Sequence, residues 1–345
     1  LLSSYFVDKQ PFPEYAGYEI KFDYSEIRPE GSYISGGFKA PGHEGLKQSL
    51  EKIETLIENW IEKEGSKIRP ILAFDILCYI SDAVLSGGVR RSAMNMIVDP
   101  NDYEMINAKV GNWRIENPQR ARSNNSVLLL RNQTKKDFFQ YLVKLNEGDN
   151  DIGFVFGNTW FDMFNPCFEI QKIPVLLDID FKNVHYDDIK YVVEENEDLF
   201  GYQGCNLTEI NAEKAVSEEE FLNACISASY LGTLQAGYTN FPYLGDVSEK
   251  IFERESLLGV SITGWMNNPK LFNAELLQKG ANLVKEVNEN VSKIIDINPA
   301  ARTTCVKPSG NASVVLGTAS GIHCEHSQNY FRIMQLNKQS STAKW

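Results

Sequence analysis

Between residues 44 and 63 the apolar side chains Leu46, Leu50, Ile53, Ile57 and Trp60 recur at steps of four and three, with charged residues between them, and Gly65 follows. That spacing predicts an amphipathic helix with one buried stripe and a glycine stop. The next segment, ILAFDILCYISDAVL (71–85), is apolar on nearly every side and ends at Gly87-Gly88, which predicts a helix buried within the fold with Cys78 packed inside it. Two further helices are announced by their caps. Thr134 with Asp137 precedes FFQYLVKL, and Ser217 with Glu220 precedes FLNACISASYL, each placing a hydroxyl where it can accept from the open N–H groups of a first turn. Cys225 falls inside the second of these, and a last helical pattern runs from about Glu275 to Ile295.

Short β-rich runs bounded by polar residues or glycine lie between the helices: SVLLL (126–130), GFVFG (153–157) and VSITGW (260–265). Alternation of this kind predicts an α/β protein. The acidic EENED at 194–198 reads as a solvated turn, and VLLDIDF (175–181) alternates as a further strand followed by a helix. No internal repeat, low-complexity tract or interdomain linker stands out.

A chain of 345 residues exceeds the usual single-domain size, so one large α/β domain or two ordinary ones is expected. The 46 acidic residues outnumber the 34 basic ones, for a net charge of −12, which opposes direct binding to nucleic acid or to an anionic membrane surface. Any bound phosphate must then be held locally, by backbone donors or a few placed cations. No apolar run approaches the roughly 20 residues that span a bilayer. Six cysteines without a CxxC pair make no disulfide framework and favour a reducing cytoplasm. The chain opens at Leu1 in mid-pattern, with neither an initiator Met nor a signal-peptide profile, as a fragment of a longer protein would.

Five short stretches carry residues suited to chemistry. In Asn165-Pro166-Cys167-Phe168-Glu169, an extended backbone would set an amide, a thiol and a carboxylate on one face. Such a trio suits a nucleophile or radical centre with its proton acceptor, although an isolated Cys-x-Glu is more often a packed thiol beside a surface carboxylate. Gly204-Cys205-Asn206-Leu207 reads as a cysteine in a turn, for which structural burial is the commoner role. Lys307-Pro308-Ser309-Gly310-Asn311-Ala312-Ser313 forms a Gly/Ser turn able to cradle phosphate, though it matches neither Walker A nor GxGxxG. Gly87-Gly88-Val89-Arg90-Arg91-Ser92 sets two guanidinium groups after a glycine pair, and either phosphate contact or a plain surface turn fits it. His323-Cys324-Glu325-His326 has no metal-site spacing and too few ligands, so no metal is expected.

The order and wording of these stretches resemble the catalytic subunit of ribonucleotide reductases, most closely the adenosylcobalamin-dependent class II enzymes. Seven collinear blocks carry the resemblance: SEIRPEGSYISGG (25–37), AFDILCYISDAVLSGGVRRSA (73–93), RSNNSV (122–127), NPCFEI (165–170), GCNLTEIN (204–211), GVSITGW (259–265) and TTCVKPSGNAS (303–313). The implied fold is part of a ten-stranded α/β barrel of two parallel five-stranded halves with a central finger loop. Residues 1–345 would form part of that single catalytic domain, lacking both ends, with 171–203 as an insertion after the finger-loop cysteine.

The implied reaction is the radical reduction of ribonucleoside di- or triphosphates to 2′-deoxyribonucleotides, with adenosylcobalamin supplying the radical. By position, Cys167 resembles the thiyl-radical residue that takes the ribose 3′ hydrogen, Glu169 the general base on the 3′-hydroxyl, and Asn165 a hydrogen-bond partner of the sugar. Cys205 resembles one member of the dithiol that supplies two electrons; the family's first redox cysteine and its C-terminal cysteine pair have no match here. Ser309, Gly310, Asn311 and Ala312 are implied phosphate contacts. Ser35, Gly36 and Gly37 resemble the first specificity loop, and Gly88, Val89, Arg90, Arg91 and Ser92 the second. The implied partners are dNTP or ATP effectors, a thioredoxin-type reductant and a second copy in a homodimer. Three alternatives stand beside this reading: a class I large subunit fed by a separate metal-radical subunit, a noncatalytic nucleotide-binding piece of a split enzyme, and a thiol hydrolase built on Cys167. The hydrolase is disfavoured because only four histidines exist and none sits in a block that it would explain.

Overall fold

The structure, a computed structural model, describes residues 1–6, 13–34, 39–86, 89–90, 92–131, 135–146, 150–176, 183–309, 312–325, 327–329 and 331. The chain divides into two compact units, the first built on Leu1–Gly157 and the second on Asn158–Phe331.

In the first unit, helix α1 (Glu44–Glu64) is followed by α2 (Pro70–Ala83), and strands β1 (Met94–Val98) and β2 (Ser123–Leu130) by α3 (Lys136–Asn146) and β3 (Gly153–Gly157). The three strands form a parallel sheet in the order β1-β2-β3. The central strand is buried at every residue but Asn124, which is why its far end is the continuous run Val127-Leu128-Leu129-Leu130 rather than an alternation. Val127 and Leu129 pack with Ile71, Phe74 and Cys78 of α2 and Leu142 of α3. On its other side, α2 sets Leu72 and Ile76 against Ile53 and Ile57 of α1. Contact on two sides explains the high apolar content of α2, although Leu77 and Ile80 remain exposed.

That helix ends two residues earlier than its apolar pattern predicts. Leu85 instead enters a two-residue strand, Leu85–Ser86, that pairs antiparallel with Val89–Arg90. Leu85 pairs opposite Arg90 and Ser86 opposite Val89, and this pairing of the backbone overrides the helical periodicity. Thr134, the expected cap of α3, lies outside the described residues, and α3 begins at Lys136.

The second unit opens with a hairpin of β4 (Met163–Phe164) and β5 (Gln171–Lys172). Then come β6 (Asn206–Asn211), α4 (Glu218–Ala236), α5 (Gly245–Glu255), β7 (Leu258–Thr263) and α6 (Ala274–Ile294). Strands β6 and β7 pair in parallel. Residues 302–305 extend the pairing on the far side of β7: Leu258 N donates to Arg302 O at 3.0 Å, Cys305 N donates to Val260 O at 3.1 Å, and Val260 and Thr304 form a parallel bridge. Ile210 and Val260 turn to a core shared with Phe221, Cys225 and Ala228 of α4 and Leu276 and Val284 of α6. The helices meet closely at Gly280, where a Cβ would stand 2.7 Å from the Phe221 ring. Ser229 Oγ donates to Val284 O at 2.7 Å, and Asn288 Nδ2 to Thr233 Oγ1 at 2.9 Å, joining α4 and α6 through their buried polar groups.

Ser217 caps α4 as its sequence predicts. Its Oγ accepts from Glu220 N at 3.2 Å, and the Glu220 carboxylate accepts in return from Val216 N at 2.8 Å. The strand expected over 260–265 stops at Thr263, because Gly264 is left-handed (φ 76°) and Trp265 opens a 3-10 turn. Glu194 and Glu195 end a helix, Ile189–Glu195, so the acidic stretch at 194–198 is helical at its start rather than wholly a turn. Of the strand expected over 175–181, Val175 forms an isolated antiparallel bridge with Phe200, and residues 177–182 lie outside the described residues. Val175, Val184, Ile189 and Phe200 gather in a small apolar cluster of their own.

The architecture is therefore mixed α/β with parallel sheets. Among the described residues no helix is long and apolar enough to cross a membrane.

Candidate active site

Pairing of β4 with β5 leaves residues 165–170 to turn the chain. Phe168 N donates to Asn165 O at 2.9 Å, Ile170 N donates to Asn165 Oδ1 at 3.0 Å, and Phe168 adopts a left-handed backbone (φ 60°). The segment is thus a tight turn and not the extended stretch expected from the alternation of Asn165, Cys167 and Glu169. Asn165 causes the difference: one side chain and one carbonyl hold two N–H groups of the turn, an Asx-type alternative to strand pairing. A bulky residue with positive φ costs of order 1–3 kcal/mol and is tolerated only where its surroundings fix it. With Oδ1 engaged, the group that Asn165 can offer a ligand is its Nδ2 amide.

The turn exposes the Cys167 thiol, while Glu169 is half-buried. Glu169 Oε2 is shielded from solvent and has no hydrogen-bond partner among the described residues. A buried carboxylate oxygen without a partner is costly, so its persistence points to a group that arrives from outside. The carboxylate and burial together push the Cys167 thiol above its ordinary value, burial contributing most, with Lys307 opposing and Glu209 adding to the rise.

Lys307 and Glu209 belong to the sheet. The period of two along β6 turns Ile210 to the helices, so Leu207 and Glu209 share the opposite face. On the third strand segment Cys305 and Lys307 are likewise two apart, and Lys307 Nζ reaches back to a short ion pair with Glu209 Oε1. Their side chains are only 7% and 11% exposed, and Glu209 Oε2, like Glu169 Oε2, has no partner among the described residues.

Cys205, just before β6, and Cys305 approach each other over Gly259 of β7. A Cβ on Gly259 would lie 2.7 Å from Cys205 Sγ and 3.0 Å from Cys305 Sγ. Burial first, then the neighbouring Cys305 thiol and Glu169, pushes Cys205 up to about 12. Burial and then Glu169 push Cys305 up to about 11, with Lys307 opposing. All three thiols are therefore protonated at neutral pH, which suits hydrogen-atom transfer and dithiol chemistry rather than thiolate attack. Among the described residues no histidine contributes to these shifts, whereas a Cys–His hydrolase would place one beside its thiol.

The carboxyl end of the third strand segment runs into the Gly/Ser turn. Ser309 is buried, its N–H donates to Ser320 Oγ at 3.2 Å, and Ala312 N donates to Ser309 O at 3.1 Å as the helix Ala312–Leu316 begins. Gly310 and Asn311 lie outside the described residues. Gly321, left-handed at φ 57°, packs so closely that a Cβ there would stand 2.7 Å from Lys307 O. A neighbouring cavity of about 430 Å³ has Phe221, Trp265, Val284 and Cys305 on its wall but no charged residue, so it offers a phosphate no counter-ion.

In the first unit, the backbone of Val89 and Arg90 forms one arm of the Leu85–Ser86 hairpin, and Ser92 Oγ accepts from Ser81 Oγ at 2.8 Å. Ser35, Gly36, Gly37, Gly88 and Arg91 lie outside the described residues. The second unit thus brings together Cys167, Glu169 and Cys205 of the expected residues. It adds Glu209 and Cys305, to which the sequence reading gave no role, and pairs Glu209 with Lys307, read there only as the start of the Gly/Ser turn; the spacings Leu207-x-Glu209 and Cys305-x-Lys307 were the signal, hidden because Cys205 and Lys307 read as turn residues.

No family model matches the chain. It is 29% identical over 351 aligned residues to a probable adenosylcobalamin-dependent ribonucleoside-triphosphate reductase of Dictyostelium discoideum, covering 99% of this chain and 42% of that protein. It is 24% identical to the adenosylcobalamin-dependent ribonucleoside-triphosphate reductase of Euglena gracilis, over 93% of this chain and 42% of the relative. The fold is similar to the crystal structure of a B12-dependent (class II) ribonucleotide reductase, with a TM-score of 0.59 and 19% identity over 88% of this chain and 43% of that one. Over nearly all of its residues the chain is thus similar to adenosylcobalamin-dependent ribonucleotide reductases, and it spans about two fifths of the length of the curated relatives it matches.

Proposed function

We propose that the chain carries the radical centre of an adenosylcobalamin-dependent reductase acting on ribonucleoside di- or triphosphates. The observation that carries this reading is the Asn165–Ile170 turn, which offers an exposed, protonated thiol beside a carboxylate oxygen that lacks a partner among the described residues. Adenosylcobalamin, named for the relatives, supplies the initiating radical when bound. The exposed face of the turn, with Cys167 and the half-exposed Phe168 ring, is where it would meet the chain.

In this reading, Cys167 as a thiyl radical takes the ribose 3′ hydrogen, an S–H bond forming as the C3′–H bond breaks, a near-balanced step because the two bonds are similar in strength. Glu169 takes the 3′-hydroxyl proton through Oε2, and Asn165 donates from Nδ2 to the sugar. Loss of the 2′-hydroxyl as water requires two electrons and two protons, for which Cys205 is one source. Ser309, Gly310, Asn311 and Ala312 hold the phosphates. The loops containing Ser35–Gly37 and Gly88–Ser92 would receive dNTP or ATP effectors, a thioredoxin-type protein would restore the dithiol, and the protein would work as a homodimer in the cytoplasm. The parallel strands of both units would belong to the ten-stranded barrel, with the Cys167 turn as its finger loop.

The test is formation of deoxycytidine phosphates from CDP or CTP by the full protein, with dithiothreitol and adenosylcobalamin, beside a Cys167→Ala control. Cofactor-dependent product that vanishes in the control is the expected result. Product that instead requires a metal-containing partner subunit would contradict the cofactor assignment, and an active control would contradict the role of Cys167.

A further inference from the structure

The Cys167 turn stands on a stem of two residue pairs, Met163 with Lys172 and Phe164 with Gln171. A lone two-stranded hairpin is marginal in water, and this one also carries Phe168 in a left-handed backbone, so it needs support from outside. Its incoming side has a local anchor. Asp162, buried at 7% exposure, accepts from Asn158 N at 2.8 Å, Thr159 Oγ1 at 2.9 Å and Gln171 Nε2 at 2.8 Å. All of these partners lie within residues 158–171, so they shape the stem without placing it against the sheet.

The outgoing side is held from afar. Lys172 Nζ makes a short ion pair with Glu255, the last residue of α5, and the two side chains are only 21% and 14% exposed. Arg254 brackets the same carboxylate: its Nε and Nη2 donate to Glu255 Oε1 at 3.0 and 2.7 Å, and its Nη1 donates to Leu176 O at 3.1 Å. The end of α5 thus holds the chain at 172 and again at 176, where it leaves the turn. That end is itself fastened to the sheet, since Ala301 N donates to Glu255 O at 2.8 Å and Leu257 O, two residues on, accepts from Asn206 N at 2.9 Å. Glu255 therefore links the stem of the Cys167 turn to the strands beside Cys205 and Cys305.

The link depends on one charge. Burial pushes the Lys172 ammonium below its ordinary value, Glu255 holds it up, and Arg254 and Arg302 press it further down. Of these three charged neighbours Glu255 alone is acidic, so neutralising it leaves Lys172 facing two guanidinium groups, and attraction turns to repulsion. We propose that Glu255 is a positioning residue for the radical centre: through Lys172 it sets the Cys167 turn against the sheet while touching none of the reacting groups. That Cys167 is a radical centre rests on the reductase reading; that Glu255 holds its turn does not.

The test follows alkylation of each cysteine of the full protein by iodoacetamide under native conditions, with peptide mapping of a time course. In Glu255→Gln, release of the stem should speed Cys167 about threefold or more, because burial and Glu169 now raise that thiol, while Cys78 and Cys225 stay sealed in their cores. Lys172→Met leaves Arg254 paired with Glu255 and should speed Cys167 less, and Lys172→Arg should keep the wild-type rate. An unchanged Cys167 rate in folded Glu255→Gln would overturn the proposal. If that variant unfolds, seen as Cys225 reacting in step with Cys167, Lys172→Met decides: a raised Cys167 rate with Cys225 protected supports the proposal, and an unchanged rate or a joint rise overturns it. Turnover on CTP with adenosylcobalamin adds the functional arm. Glu255→Gln should lower kcat about tenfold or more and leave KM near wild type, because in the reductase reading the phosphates are held at the separate Ser309 turn. A wild-type kcat beside a raised Cys167 rate would overturn the positioning role. Wild type that makes no deoxynucleotide counts against the reductase reading alone, and the alkylation result still decides whether Glu255 holds the turn.

Discussion

Each unit buries a carboxylate against a cation, and the two settings differ in how completely the oxygens are used. In the first unit, Asp75 receives Arg120 Nε at 2.8 Å, Arg120 Nη2 at 2.7 Å and Gln119 Nε2 at 2.9 Å, so both of its oxygens are engaged. In the second, Lys307 holds one oxygen of Glu209, while Glu209 Oε2 and Glu169 Oε2 have no partner among the described residues. A closed network joins α2 to the segment around Arg120 and has no capacity left for a ligand. An open one keeps capacity at the cost of stability. The contrast separates charge used for architecture from charge held ready for chemistry.

The largest effect expected from that contrast is on activity. Cys167→Ala should reduce deoxynucleotide formation to background while leaving the unfolding curve unchanged, because the side chain lies exposed on a turn; a urea titration beside the product assay checks both. The reverse pattern belongs to the first unit. Asp75→Ala strands the Arg120 guanidinium in a buried site and should cost about 3–5 kcal/mol, read as a lower urea midpoint.

The pH dependence comes next. Cys205 and Cys305 titrate higher in the folded chain, at about 12 and about 11, than their ordinary value of 9.0. Their contribution to stability is therefore complete below 9.0 and is lost as pH rises through the folded values, since the unfolded chain releases those protons first. Denaturation midpoints measured across that range should fall, and should fall less steeply in Cys305→Ser. The smallest effect is at a helix cap: Ser217→Ala removes the acceptor for Glu220 N and should cost about 1 kcal/mol with no change in activity.

What the sequence made legible follows the range of the interactions. Helix α1, the Ser217 cap and the strand Gly153–Gly157 rest on neighbours within a few positions, and each stands where its pattern places it. The turn at Cys167 was misread as extended because a single Asn side chain, bonding five residues ahead, outweighs an alternating pattern. Glu209 and Lys307 are 98 residues apart, and nothing local announces that strand order sets them on one face. The expected barrel goes further than the sheets described here, a parallel sheet of three strands in one unit and a parallel pair in the other.

The most direct test of the account is Glu169→Gln, assayed in parallel for urea stability and for deoxynucleotide formation. Because Oε2 has no partner among the described residues, the amide should leave stability within about 1 kcal/mol of wild type, while loss of the proton acceptor lowers turnover by about 10²–10⁴-fold. A variant that turns over at the wild-type rate, or one whose lost activity is matched by lost stability, would contradict the assignment of that carboxylate to chemistry.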